Sequence, residues 1–261
     1  MRIALTIAGS DSGAGAGIQA DLKTFAAHGV FGTTAITAVT AQNTLGVTAW
    51  GALPADLVSA QVEAVAGDME IDAVKVGMLA NAAIVEAVAA AIQELELPHV
   101  VVDPVMIAKG GGRLLEDEAV EALRAELLPR TQIVTPNISE AETLAGMAIR
   151  SLDDMRRAAR RILSLGPRVV LVKGGHLEGP ESIDVVCMRG EMFELRMPRI
   201  STTSTHGTGC TLSSSIAANL ALGLDVRPAI ERAREYLDGA IRHAPGLGRG
   251  HGPLNHFWRV Y

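Results

Sequence analysis

The feature that most constrains this chain is an alternation. Short runs rich in Val, Ile and Thr trade places with segments of helical periodicity from one end to the other. Residues 3–8 form the first apolar run, and residues 17–28 then place Ile18, Leu22, Phe25 and Ala26 at helical spacing. Further buried strands are predicted at 34–40, 73–76, 100–102, 132–135 and 169–172, with helices near 55–66, 82–95, 117–127 and 152–165. Ser151 and Asp154 open the last of these helices at capping-box spacing. Strands with few turn residues inside them, separated by helices, imply a mostly parallel sheet covered on both faces. The alternation breaks at 182–188 and 191–197, which flank Arg189-Gly190 and predict an antiparallel hairpin at a sheet edge. Helices follow at 208–222 and 226–243. No linker, repeat or low-complexity tract interrupts residues 1–261, so one α/β domain is expected.

Composition narrows the class further. The chain is 48% apolar and 20% charged, a globular balance, but only 3% aromatic, so its core must be aliphatic. Acidic residues exceed basic ones, 29 to 23, which argues against a nucleic-acid partner. Two cysteines outside any Cys-x-x-Cys pair fit a reducing compartment. The apolar run at the N-terminus stops at Gly9, too short for a signal peptide or a membrane span, and no other stretch is long enough to span. A cytoplasmic protein is therefore expected.

Parallel α/β sheets bind ligands beyond the carboxyl ends of their strands, so the residues after each buried run carry the chemistry. The first run leads into Gly9-Ser10-Asp11-Ser12-Gly13-Ala14-Gly15; others end in Asp103-Pro104, in Pro136-Asn137 with Glu140 three residues on, and in Lys173-Gly174-Gly175-His176. The sharpest segment is His206-Gly207-Thr208-Gly209-Cys210-Thr211, which opens a helix. Glycines there let backbone N–H groups converge, and the helix N-terminus adds positive potential, which suits a phosphoryl group. Cys210 in that field is expected to have a lowered pKa and to act as a base or nucleophile. The same segment also reads as a plain glycine turn before a core helix with Cys210 merely buried. Asp103 reads equally as a turn residue and Asn137 as a helix cap. Lys173, followed by two glycines, reads as a phosphate ligand. Arg156, Arg157, Arg160 and Arg161 lie opposite the apolar stripe of their helix and are expected to face solvent; His251 and His256 lack zinc spacing. Neither a Walker motif nor an intact Gly-x-Gly-x-x-Gly occurs, because Ile18 and Leu212 stand where the third glycine belongs.

Taken together, several segments resemble the bacterial hydroxymethylpyrimidine/phosphomethylpyrimidine kinases of thiamine biosynthesis. They are residues 4–12, residues 15–25, Ala35 through Thr44, Lys75-Val76-Gly77-Met78-Leu79, residues 101–106, Thr135-Pro136-Asn137, Lys173–His176 as a run, residues 206–211 and Gly250-His251-Gly252-Pro253. Ala14 stands where a glycine is common in that family. The resemblance implies a ribokinase-like fold, ATP and Mg²⁺, and two successive phosphorylations. A 4-amino-5-hydroxymethyl-2-methylpyrimidine would become its monophosphate and then its pyrophosphate. It further implies that Gly207, Thr208, Gly209 and Cys210 form an anion hole, with Cys210 as base. Lys173, with Asn137 and Thr208, would hold the ATP phosphates; Asp103 and Glu140 would hold Mg²⁺; Gln42, Gly9, Asp21 and Met78 would line the pyrimidine pocket. A homodimer is expected on the same footing. The rival readings are a pyridoxal kinase of the same fold and a non-catalytic sensor of a pyrimidine or nucleotide. Only a short tail follows residue 243, so no fused second enzyme is expected.

Overall fold

The computed structural model describes residues 1–106, 116–175 and 179–259; His176, the last residue of the Lys-Gly-Gly-His run, lies outside them. Nine strands form one sheet in the order β3-β2-β1-β4-β5-β6-β7-β8-β9. Its centre comprises β1 (Ile3–Asp11), β2 (Phe31–Asn43), β4 (Ala73–Val76), β5 (Val100–Val102), β6 (Ile133–Val134) and β7 (Val169–Val172). These pair in parallel throughout. The expected hairpin is present as β8 (Glu181–Met188) and β9 (Glu191–Pro198), antiparallel to β7 and to each other. The opposite edge is antiparallel as well: β2 runs on past Thr40 and turns into β3 (Gly46–Ala52), a strand the sequence pattern did not signal. Its residues are mostly exposed, so no hydrophobic alternation marks it.

Side-chain alternation along the strands divides the core in two. On one face Leu5, Ile7, Val74, Val76, Val100, Val102, Val170 and Val172 pack under α2 (Ala55–Ala66), α3 (Ala82–Glu94), α4 (Asp117–Ala122), α5 (Ile138–Ala145) and α6 (Leu152–Leu163). On the other, Ala4, Ala73, Val101, Ile133, Val169 and Leu171 meet α1 (Gly17–Ala27), α7 (Thr208–Ala221) and α8 (Val226–Arg242). The helix expected over 117–127 changes character at Leu123, where a π-helical turn over Leu123–Leu127 continues it. On α6 the Ser151 hydroxyl accepts from the Asp154 N–H at 3.2 Å, as its spacing predicts. Arg156 pairs with Asp153 and Glu194, Arg157 with Asp154, and Arg160 and Arg161 are exposed, so this arginine face is solvated.

The order β2-β1-β4 places a topological switch at β1, where the chain leaves the sheet centre in opposite directions. That divergence opens a crevice beyond the carboxyl ends of β1 and β4. Among the described residues no helix is long and apolar enough to cross a membrane.

Close backbone approach at the end of β7 depends on Gly174. A Cβ there would sit 1.8 Å from the Ile183 carbonyl oxygen on β8. Gly174→Ala should therefore force β7 and β8 apart and lower the unfolding free energy by about 3 kcal/mol or more, read from urea denaturation.

Candidate active site

A cavity of about 850 Å³ opens at the switch point. Gly9, Gln42, Met78, Asp103, Asn137, Glu140, Lys173 and the run Gly207–Cys210 all line it, so eleven of the twelve predicted site residues converge on one space.

The exception is Asp21, which the sequence reading put in the pyrimidine pocket. It is fully buried on α1 and does not reach the cavity. Its carboxylate accepts from the Thr6 hydroxyl at 2.6 Å, the Ser214 hydroxyl at 2.6 Å and the Lys75 ammonium at 2.8 Å. An aspartate on the same helical face as Ile18 and Phe25 must find such partners, because an unpaired buried carboxylate is very costly. Lys75 is the residue that touches the cavity in its place. Burial pushes the Lys75 ammonium toward losing its proton, but the Asp21 carboxylate, with Cys210 and Asp103 beyond, outweighs this and holds it charged. The sequence carried a signal for it: a lysine between Val74 and Val76 inside a buried strand needs a counter-charge.

Asp11 and His206 stand inside the glycine-rich motifs, and both build the pocket wall. Asp11 Oδ1 accepts from the Gly13 N–H at 2.8 Å; its Oδ2 accepts from the N–H groups of Gly15 and Ala16 at 3.0 and 2.8 Å and meets His206 Nε2 at 2.8 Å. Burial raises its pKa, yet the His206 and backbone hydrogen bonds more than reverse this, leaving Asp11 below the ordinary carboxylate value. An aspartate before a glycine-rich loop is the pattern that could have announced this. Ala14 in that loop has φ +58°, the left-handed conformation that explains why a glycine is common there, and pays a small strain for it. Gln42 stands between Thr40, whose hydroxyl is 3.3 Å from Gln42 Oε1, and His206, whose Nε2 is 3.4 Å from Gln42 Nε2. Its amide is thereby fixed in the cavity that Gly9 and Met78 also line, and the Met78 sulfur lies 3.1 Å from where a Gly9 Cβ would be.

Farther along the cavity, Lys173 Nζ is 2.7 Å from Asp103 Oδ1 and 4.0 Å from Glu140 Oε2. Burial favours the neutral amine, but both carboxylates raise the Lys173 pKa. Burial likewise lifts the Glu140 carboxyl to well above the carboxylate range, opposed by Lys173 and reinforced by Asp103. Asn137 proves to be a helix cap. Its Oδ1 accepts from the Glu140 N–H at 3.0 Å while Glu140 Oε2 accepts from the Asn137 N–H at 2.7 Å, a capping box on α5. Only its amide NH₂ is left for a ligand.

The N-terminus of α7 closes against these charges. Gly207 has φ +84°, and a Cβ on it would lie 1.8 Å from the Gly15 carbonyl. A Cβ on Gly209 would lie 2.9 Å from Asp103 Oδ2 and 3.2 Å from Lys173 Nζ. Glycine at 207 lets the helix end approach the Gly15 carbonyl, and glycine at 209 lets it approach the Asp103–Lys173 pair. The N–H groups of Gly209 and Cys210 have no hydrogen-bond acceptor among the described residues. The Thr208 hydroxyl is spent on the Thr205 carbonyl at 3.2 Å. Cys210 departs from expectation. Burial raises its thiol to about 11, ahead of the lowering effect of Lys75. Burial, reinforced by the Asp21 and Asp103 carboxylates, outweighs the Lys75 ammonium and keeps the thiol protonated. His256 is a buried core histidine, its Nε2 3.1 Å from the Thr211 hydroxyl, and no group of three or more His, Cys, Asp or Glu gathers as a metal cage among the described residues.

Asp103 and Glu140 offer two hard oxygen donors beside an anion-binding helix end. That suits Mg²⁺, which is held by one or two carboxylates together with phosphate oxygens and water.

Residues 11–255 match the family described as phosphomethylpyrimidine kinase. The chain is 51% identical over 255 residues to the hydroxymethylpyrimidine/phosphomethylpyrimidine kinase of Bacillus subtilis strain 168, covering 97% of this chain and 94% of that one. Among solved structures, the phosphomethylpyrimidine kinase of Clostridium difficile 630 is 44% identical with a TM-score of 0.83, covering 92% of this chain and all of that one. An ADP complex of Bacillus subtilis pyridoxal kinase is 38% identical with a TM-score of 0.92, at full coverage of both chains.

The Asp21–Lys75 pair gives a stability test independent of turnover. Lys75→Met should cost about 3–5 kcal/mol in urea unfolding, since it strands a buried carboxylate, whereas Lys75→Met combined with Asp21→Leu should recover most of that loss.

Proposed function

The chain belongs to the phosphomethylpyrimidine kinase family, and from that premise we propose that its cavity transfers the γ-phosphoryl group of ATP to two successive acceptors. The first is the hydroxyl of 4-amino-5-hydroxymethyl-2-methylpyrimidine; the second is the phosphate of the resulting monophosphate, giving the pyrophosphate used in thiamine biosynthesis. The observation that carries this reading is the approach of the α7 N-terminus, at Gly209, to the Asp103–Lys173 pair. Phosphoryl transfer requires positioning and charge neutralisation more than covalent chemistry, and this junction offers both.

In this reading the pyrimidine lies against Gly9 and Met78 with its amino and ring-nitrogen edge facing the Gln42 amide. A glutamine amide presents a donor beside an acceptor, the complement of an aminopyrimidine edge. The acceptor oxygen points to the α7 N-terminus, where the Gly209 and Cys210 N–H groups receive charge developing on the transferred group. Lys173 leaves Asp103 to neutralise nucleotide phosphates, and Asn137 donates its amide NH₂ to them. Asp103 and Glu140 would hold Mg²⁺, which would supply charge neutralisation on the phosphate oxygens. Cys210 takes the proton of the hydroxymethyl group. Its thiol is protonated in the free protein, so acting as base requires that proton to leave first to solvent, and the Lys75 ammonium stabilises the thiolate that then accepts the hydroxyl proton.

The whole chain acts as one ribokinase-like domain in this account. Exposed Val39, Leu45 and Trp50 around the β2–β3 edge support pairing of two copies as a homodimer. Free Cys187 and Cys210 support a reducing, cytoplasmic setting.

ADP release should be measured with Mg·ATP and hydroxymethylpyrimidine, its monophosphate or pyridoxal. Turnover of both pyrimidines is the expected result; turnover of pyridoxal alone would assign the cavity to the structural neighbours' substrate. Cys210→Ala should slow the first phosphorylation by about a hundredfold and the second far less, since a phosphate monoester already carries an anionic nucleophile. Equal losses in both steps would remove Cys210 from the role of base.

A further inference from the structure

At the far end of the cavity from Gln42 sits a buried cation that the chemistry above does not use. Arg234 on α8 has a side chain only 8% exposed, and it lines the cavity. Its Nε lies 2.9 Å from Asp184 Oδ2, yet out of line for a hydrogen bond, so Nε is left without an acceptor. No hydrogen bond to its terminal nitrogens is formed among the described residues. The other Asp184 oxygen is already engaged, accepting the Gly174 N–H at 2.9 Å. A buried Nε without an acceptor is costly, and stability alone does not account for the pair, since an apolar pair of similar volume often serves as well or better.

The surroundings indicate what those donors meet. On α8, Arg234, Leu237, Asp238 and Ile241 line the cavity at helical spacing, and Pro198 and Ile200 line it from the end of β9. Leu237, Ile241, Pro198 and Ile200 supply apolar surface for a flat ring. Asp238 is occupied by Arg242 at 2.6 Å. Arg199, which also lines this end, gives its N–H groups to the carbonyls of Gly175, Gly179 and Glu181. That leaves Arg234 as the cation here whose Nε lacks an acceptor. Phosphates are served elsewhere, by Lys173 and the α7 N-terminus. Asp184 ties the two regions together, because the N–H it accepts belongs to the residue after Lys173.

We infer that Arg234, braced by Asp184, is the residue that reads the nucleoside part of the phosphoryl donor, giving its free N–H groups to acceptor atoms of the base or ribose in the slot between α8 and β9. This assignment rests on the kinase reading. It makes Arg234 a specificity-determining residue for the donor, with no part in binding the pyrimidine.

The test compares wild type with Arg234→Met. ADP binding is followed by calorimetry, inhibition of ATP turnover by inorganic tripolyphosphate is measured, and KM is determined for ATP and for hydroxymethylpyrimidine. The expected result is ADP binding weaker by about tenfold to a hundredfold and a matching rise in KM for ATP. Tripolyphosphate inhibition and KM for the pyrimidine should be unchanged. Should Arg234→Met fail to fold because Asp184 is stranded, Arg234→Met with Asp184→Asn removes both charges and is read the same way. Unchanged ADP binding overturns the assignment, and so does an equal loss of tripolyphosphate, which would make Arg234 a phosphate ligand. Wild-type protein that binds no ADP would instead overturn the kinase reading, and this assignment with it.

Discussion

The carboxylate of Asp21 is the point on which the rest of the structure depends. It receives a hydrogen bond from one residue on each of three other elements, Thr6 on β1, Lys75 on β4 and Ser214 on α7. All four residues are fully buried, so each bond is made in low dielectric and none can be exchanged for water. The two central strands that diverge at the switch point are thereby tied to the helix whose N-terminus faces the cavity. The pair also leaves a permanently charged ammonium at the cavity wall, close enough to Cys210 and Asp103 to act on both.

From that anchor the cavity divides by chemistry. Gln42, Asp11 and His206 form a hydrogen-bonding wall suited to a polar heterocycle. Lys173, Asp103, Glu140 and the α7 N-terminus form a compact zone of opposed charge. Burial keeps this zone balanced: Glu140 is drawn toward its neutral form, and Lys173 is held positive by the carboxylates around it. A site so arranged accepts added negative charge at little reorganisation cost, which is the requirement for stabilising a transferring phosphoryl group. The same cavity continues to Leu237 and Ile241 on α8, which add apolar surface to its lining.

Much of this was legible without coordinates. Runs of Val and Ile buried on both faces read as parallel strands, and residues after such strands read as ligand-facing, so Gly9, Asp103, Lys173 and the Gly207–Cys210 run were found from pattern alone. What escaped was whatever lacked a local signature. The edge strand β3 is exposed and has no hydrophobic period. Asp21 was assigned to the pocket although its apolar helix face already pointed inward. The Cys210 thiol was expected to have a lowered pKa from the helix end beside it, a local effect, but burial by residues far apart in sequence raises it.

By itself, then, the sequence determined the strand–helix alternation, the glycines that permit close approach at Gly207 and Gly209, and the inventory of groups able to handle phosphate. Those depend on periodicity and on the side chain at a single position. Only the tertiary structure decided which buried charges face one another, that Lys75 rather than Asp21 meets the cavity, that Asn137 spends its carbonyl on a cap, and that Arg234 has donors left over. Partnership across dozens or hundreds of residues is set by how the layers pack, and burial then fixes the protonation state and hydrogen-bonding duty of each group.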